Sequence, residues 1–258
     1  MRMRLPWTSR RLDRRWKTAA TLADLGDLMA LWLEGAISSW PGYQPGHGPD
    51  EETRDLAPTL AAANRAGYVT ITSQPGIDPD TGFDGLVWSQ KAAVEGFVRD
   101  YDLLRSLTDA AYAAGLDIEI ADMLDTGERG ITVTLRDGQP YTTFGGYLNG
   151  AVLRGIWRGI GAGALDDVFR AVRVTLAAPE YGAAAGARLW EVLDTITGRA
   201  SIGEDSADGE ARCGVCGCTE NTPCPGGCWW VPNLLMDDLC STCVAWYSGQ
   251  ARSRSEEG

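Results

Sequence analysis

The chain reads as an α/β or α+β protein, with a mixed sheet, flanking helices and a small C-terminal cysteine module. Three observations predict this. Segments with helical spacing of apolar residues interleave with short β-rich runs. All seven cysteines fall between Cys213 and Cys243. An acidic, small-residue stretch from Gly203 to Glu210 separates the two regions and reads as a flexible linker. The expected organisation is a basic arm (1–17), an α/β domain (18–198), a linker (199–211), a metal module (212–247) and a disordered polar tail (248–258).

Residues 18–35 place Leu22, Leu25, Leu28, Met29, Trp32 and Leu33 on one helical face, and Gly35 can end the helix. A turn-rich stretch from Trp40 to Pro49 follows. Asp50 or Glu51 opens a second helix, which runs to about Ala66 and stops at Gly67. Tyr68–Thr72 alternates and is β-rich, so it reads as a strand that Ser73-Gln74-Pro75-Gly76 turns out of. Gly85–Val98 contains a strand centred on 92–98. A helix spans about Asp100–Ala114, and strands are expected at 116–120, 131–135 and 171–176. A weak helix at 151–160 and a last one at 187–197, with Leu189, Trp190, Leu193 and Ile196 on one stripe, complete the domain.

Hydrophobic content of 44% and ten tryptophans argue for a folded protein. No apolar run approaches the roughly 18 residues of a membrane span. The net charge of −12 hides an asymmetry: residues 1–17 hold seven basic side chains against Asp13 alone. An acidic body disfavours non-specific nucleic-acid binding, which phosphate neutralisation dominates. The basic arm suits a solvated helix start better than a phosphate contact.

The cysteines run Cys213-x2-Cys216-x-Cys218-x5-Cys224-x3-Cys228-x11-Cys240-x2-Cys243. Two short-spaced pairs bracketing a loop let four thiolates converge on one Zn²⁺, so Cys213, Cys216, Cys240 and Cys243 form the expected ligand set. Cys218, Cys224 and Cys228 allow a second metal completed by a thiolate shared with the first site, an iron–sulfur cluster, or a disulfide knot with one thiol left over. The basic N-terminus is followed by no apolar signal region, and a reducing cytoplasm favours metal over disulfide. Zinc is the expected cofactor and the cytoplasm the expected location.

Thr72, Ser73, Gln74 and Gln90 bring neutral donors and acceptors to a strand end and suit a polar ligand, although turn chemistry accounts for them as well. Trp40, Tyr43 and Trp88 are candidate pocket walls or packing residues. His47 is the only histidine; the nearby Asp50, Glu51 and Glu52 are explained by a helix N-terminus. With one histidine and no cysteine outside the cluster, no catalytic constellation is recognisable. The stretch from Ala211 to Tyr247 has Arg212 as its only basic residue, so Trp229, Trp230 and Trp246 favour ion cover or protein contact over nucleic acid.

The residues Trp32-Leu33-Glu34-Gly35, Pro41-Gly42-Tyr43-Gln44-Pro45-Gly46, Gly48-Pro49-Asp50-Glu51-Glu52-Thr53, Asn64-Arg65-Ala66-Gly67, Ser73-Gln74-Pro75-Gly76 and Trp88–Phe97 resemble a family of unknown function common in Streptomyces and relatives. That resemblance covers about the first 100 residues, more faintly the first 198, and implies no known activity. Asn64–Pro75 and Gln90–Glu95 look like part of the regulatory domain of eukaryotic methylenetetrahydrofolate reductase, which implies S-adenosylmethionine as a ligand to test. Cys216-Gly217-Cys218-Thr219, Cys224-Pro225-Gly226-Gly227-Cys228-Trp229 and Asp238-Leu239-Cys240-Ser241-Thr242-Cys243 resemble a knuckle of actinophage proteins. Together with the arginine bias, Lys17 and Lys91 being the only lysines, this points to a high-GC actinobacterium or its phage. The leading expectation is a non-enzymatic phage or prophage accessory protein that binds a small polar ligand or a protein partner. The alternatives are an enzyme acting on a nucleoside-like molecule and a nucleic-acid contact made through the basic arm and knuckle.

Overall fold

A computed structural model describes residues 14–43, 46–121, 130–200, 213, 218–219, 222–228, 230 and 240–242. The chain divides into two compact units, Met1–Ile202 and Gly203–Gly258. In the first unit α1 (Arg14–Thr18) and α2 (Leu22–Leu33) lead to a 3₁₀ turn (Glu51–Leu56) and α3 (Ala57–Arg65). Next come β1 (Val69–Gln74), β2 (Ile77–Thr81), β3 (Val87–Gln90), β4 (Ala93–Val98), α4 (Tyr101–Ala114), β5 (Asp117–Ala121), β6 (Ile131–Arg136) and β7 (Gln139–Phe144). The unit closes with α5 (Gly150–Ile156), α6 (Ala162–Arg170), β8 (Val172–Ala177) and α7 (Ala183–Ala200).

The class is α+β. Where a mixed sheet was expected, the strands form two four-stranded sheets, ordered β1-β4-β8-β5 and β2-β3-β6-β7, and every strand pair is antiparallel. The reason lies in β8. It enters between β4 and β5, which the α4 crossover leaves parallel to one another but not adjacent.

Local chemistry sets the helix ends. Thr21 caps α2 reciprocally with Asp24: Thr21 Oγ1 accepts the Asp24 N–H at 3.2 Å, and Asp24 Oδ2 accepts the Thr21 N–H at 3.0 Å. The Ala20 N–H, at 2.7 Å, is the main reason the Asp24 carboxyl lies below the usual range. Asp100 caps α4 through the Leu103 N–H, and Gly115 ends it in the left-handed region at φ 68°.

The two faces of the β1-β4-β8-β5 sheet differ in kind. Val94, Gly96 and Val98 of β4 share one face with Val174 and Leu176 of β8 and with Ile118 and Ile120 of β5. This face is apolar, and α2, α3, α4 and α7 pack on the sheet. Gly96 has to be glycine because an added Cβ would sit 2.6 Å from the Val69 carbonyl oxygen and 2.8 Å from the Tyr68 ring. On the opposite face, Ala93 and Ala177 meet Val133 and Phe144 of the second sheet.

Gln74 ties the two sheets together. Its buried amide donates to the carbonyls of Lys91 (3.0 Å) and Val133 (3.1 Å) and approaches Thr134 Oγ1 at 3.3 Å. Beside it, the Lys91 ammonium pairs with Asp117 at 2.8 Å.

Candidate functional site

The second unit has little apolar material to bury. Among its described residues the buried cluster is Cys213, Cys218 and Cys240, with Cys224, Cys228 and Trp230 packed against it. Short local turns place the thiols. Thr219 and Thr222 exchange backbone hydrogen bonds at 3.2 Å, which sets the spacing between Cys218 and Cys224. In Cys224-Pro225-Gly226-Gly227-Cys228 both glycines have positive φ (94° and 85°), and the Gly227 N–H returns to the Cys224 carbonyl at 2.8 Å. That reversal aims the Cys228 sulfur back at Cys224, whose N–H donates to it at 3.2 Å. An isolated bridge between Trp230 and Cys240 brings Cys240 in.

The sulfurs of Cys218, Cys224, Cys228 and Cys240 all lie within 4.8 Å of one another. Cys218 and Cys228 are 3.6 Å apart, and Cys224 and Cys240 are 3.8 Å apart. A regular tetrahedron of sulfurs about 2.3 Å from a central ion has edges of about 3.8 Å. Disulfide sulfurs would be about 2.0 Å apart, and none of the described cysteines is so joined. The four thiols therefore have the number and spacing to hold a metal ion. The grouping differs from the spacing-based expectation: Cys240 sits with the three middle cysteines. Cys213 lies outside the quartet but beside it, its sulfur accepting the Cys240 N–H at 3.4 Å. Cys216 and Cys243 lie outside the described residues.

In the first unit, the polar residues expected to face a ligand are spread over different tasks. Gln74 is the sheet-to-sheet tie described above. The Gln90 amide donates to the Pro75 carbonyl at 2.8 Å, and its backbone carbonyl accepts the Gly182 N–H at 3.0 Å. Ser73 is half-buried and Thr72 exposed. Trp40 stacks on Tyr43 (6.4 Å, 9°), whereas Trp88 packs edge-on to Tyr141, so the three aromatics form no common wall. His47 is exposed, and its backbone carbonyl accepts the Trp32 indole N–H.

A buried acidic constellation lies elsewhere, one that composition and spacing did not single out. Strand register sets Thr72, Glu95, Thr175 and Glu119 in one row across all four strands of the sheet. Glu95 is 6% exposed; its carboxylate accepts the Gly145 N–H at 2.5 Å and the Thr175 hydroxyl at 3.3 Å. Arg173, equally enclosed, stands 3.8 Å from Glu95 and donates to the Gly146 carbonyl. Glu119 accepts the Gly146 N–H at 3.0 Å. Burial pushes the Glu95 carboxyl above the usual range and outweighs the lowering effects of Gly145, Arg173 and Thr175; the neighbouring Glu119 charge raises it further. The one sequence signal was a carboxylate in the middle of the otherwise uncharged strand Ala-Val-Glu-Gly-Phe-Val.

Among the described residues no helix is long and apolar enough to cross a membrane. The family described as Domain of unknown function (DUF6919) matches residues 11–198. None of the curated proteins matches the chain.

Proposed function

Because residues 11–198 place this chain in the DUF6919 family, whose description assigns no activity, we propose its function from the site chemistry: a non-enzymatic accessory protein with a zinc-stabilised C-terminal module and an α+β domain that binds a small polar ligand or a protein partner. The observation that carries the reading is the Cys218, Cys224, Cys228, Cys240 quartet. Zinc is favoured over other ions because four thiolates and a closed tetrahedral shell suit its lack of geometric preference and its borderline softness. A cluster of thiols at metal-binding spacing suits a reducing, cytoplasmic setting, and the knuckle sequence supports phage or prophage origin. The edge of the Thr72–Glu95–Thr175–Glu119 row, with Ser73 next to Thr72, is the polar surface we assign to the ligand.

Elemental analysis with an absorption spectrum, on protein purified without added metal, tests the metal reading. Zinc in a colourless sample supports it. Iron with visible absorbance replaces it with an iron–sulfur centre, and metal-free folded protein ends it. A thermal-shift panel containing S-adenosylmethionine and nucleotides tests the ligand reading.

One observation favours an enzyme instead. Glu95 and Glu119 share the Gly145-Gly146 turn, and two neighbouring carboxyls with one held towards its protonated form are suited to general acid–base work. A nucleoside-like compound that both stabilises the protein and is converted by it, with conversion lost in Glu95→Gln, selects that reading. Stabilisation without conversion selects the binding protein.

A further inference from the structure

We propose that residues 145–149 form a strap across the Thr72–Glu95–Thr175–Glu119 row, and that the loss of one proton from the Glu95, Glu119 and Arg173 cluster beneath releases it. The strap controls access to the row assigned above to a ligand, and in that respect it rests on that reading. The opening itself does not depend on what binds.

Three side chains from three neighbouring strands hold the strap. β7 ends at Phe144, where the second sheet covers Ala93 and Ala177. The chain then meets the next row on the same face of the first sheet. Glu95 of β4 accepts the Gly145 N–H at 2.5 Å, Glu119 of β5 accepts the Gly146 N–H at 3.0 Å, and Arg173 of β8 donates to the Gly146 carbonyl. Both glycines lie in the left-handed region, at φ 77° and 73°. A Cβ on Gly145 would stand 2.8 Å from Glu119 Oε2, so the turn rests directly on that carboxylate. None of residues 145–149 is itself buried. The strap can therefore lift without opening the apolar core.

Beneath it the charges do not balance: two carboxyls face one guanidinium. The neighbouring elements do not make up the difference. β1 and β7 carry no charged side chain, and the strap's one titratable group, Tyr147, is exposed. Lys91 and Asp117, one row away, pair with each other at 2.8 Å. The buried Tyr68 hydroxyl donates to the Val94 and Val174 carbonyls and stays protonated, burial holding it well above the usual tyrosine value. A closed cluster is thus neutral only while one carboxyl keeps its proton. Burial assigns that proton to Glu95. Its removal leaves an uncompensated negative charge among groups that are 1–7% exposed, and lifting the strap lets water solvate it. Opening releases one proton to solvent. The closed state is therefore favoured below the ordinary glutamate range and weakens as pH rises through the folded Glu95 value.

The test is amide hydrogen exchange by NMR on the full-length chain across a pH series, each rate divided into that of an unstructured peptide at the same pH. Protection of Gly145 and Gly146 should fall by up to about tenfold per pH unit while the closed cluster gives up its proton, with Val174 in the centre of the sheet unchanged. Glu95→Gln keeps an acceptor oxygen without the charge and should make the protection of both glycines independent of pH. Glu119→Gln leaves one carboxylate for one guanidinium and should do the same, which covers the case where Glu95→Gln fails to fold. Flat protection in the wild type would overturn the strap, as would a fall shared by the variants or by Val174. Each of these outcomes leaves the ligand reading to its own thermal-shift panel, and a panel without a hit leaves the strap standing.

Discussion

The two units of this chain are folded by different means. In Met1–Ile202 the interior is mainly apolar, apart from polar ties such as Gln74 and the Glu95–Arg173 pair: Trp16, Trp157, Tyr68, Phe97, Leu107 and Leu193 are all almost completely enclosed. In the described part of Gly203–Gly258 the enclosed residues are Cys213, Cys218, Cys240 and Thr219, with the half-buried Cys224, Cys228 and Trp230 packed against the cysteines. A short chain segment cannot bury enough apolar surface to offset the entropy of ordering it, so a strong local bond has to replace a core. The contrast shows why cysteine is confined to one region. The first unit gains nothing from a thiol that a valine or leucine would not supply.

The largest expected effect comes from removing the metal proposed for the Cys218, Cys224, Cys228, Cys240 quartet. A strong chelator at neutral pH should take away on the order of 10 kcal/mol of binding free energy from the second unit. Its tryptophan fluorescence and amide dispersion should collapse, while the thermal transition of the first unit stays within about a degree. A large shift of that transition would show that the two units do not stabilise independently. The converse experiment is Leu193→Ala, which opens a cavity at a fully buried position and should cost about 3 kcal/mol. Urea unfolding should register it in the first unit, with bound metal per chain unchanged. Thr21→Ala removes one half of the α2 capping box and should cost about 1 kcal/mol, again confined to the first unit.

The subtlest effect is a trend with pH. Glu95 holds its proton more tightly folded than unfolded, so its contribution is complete below the ordinary glutamate range and is lost as pH rises through its folded value. Compared with Glu95→Gln, the wild type should therefore lose relative thermal stability as pH is raised from acid towards neutral. Parallel melting curves at every pH would contradict the burial argument.

What the sequence made legible follows the strength of the local signal. The helices around Leu22–Leu33 and Tyr101–Ala114 were readable because apolar spacing, caps and terminal glycines agree. The strands at 93–98, 117–121, 131–136 and 172–177 were readable because they are β-branched or mostly buried, whereas the strand expected at 68–72 runs on to Gln74, since Ser73 and Gln74, expected in the turn, still pair with Val94 and Ala93. β2 was not, because Ile-Asp-Pro-Asp-Thr is exposed throughout and has no apolar face to alternate. β7 carries Pro140 and has only Phe144 buried. In α6, Gly163 and two buried residues, Ala164 and Val168, leave little helical signature. At the cysteine cluster the residue type was plain, but spacing grouped Cys240 with Cys213, Cys216 and Cys243, and it is the Trp230–Cys240 bridge that brings its sulfur to Cys218, Cys224 and Cys228. Glu95 could not be found from composition, since its significance comes from neighbours 50 and 80 residues away.

The Gln74 amide has a mechanical consequence. Its two hydrogens are shared among three oxygens, one on the segment entering β4 and two on β6. Any sliding of one sheet over the other must release all three at once inside a dry interior, where nothing replaces them. Together with the Lys91 N–H on the Val133 carbonyl and the Tyr181 hydroxyl on the Thr132 carbonyl, this pins the two sheets against shear, and any motion this domain makes should occur at its exposed hairpins and loops and not along the seam between its sheets.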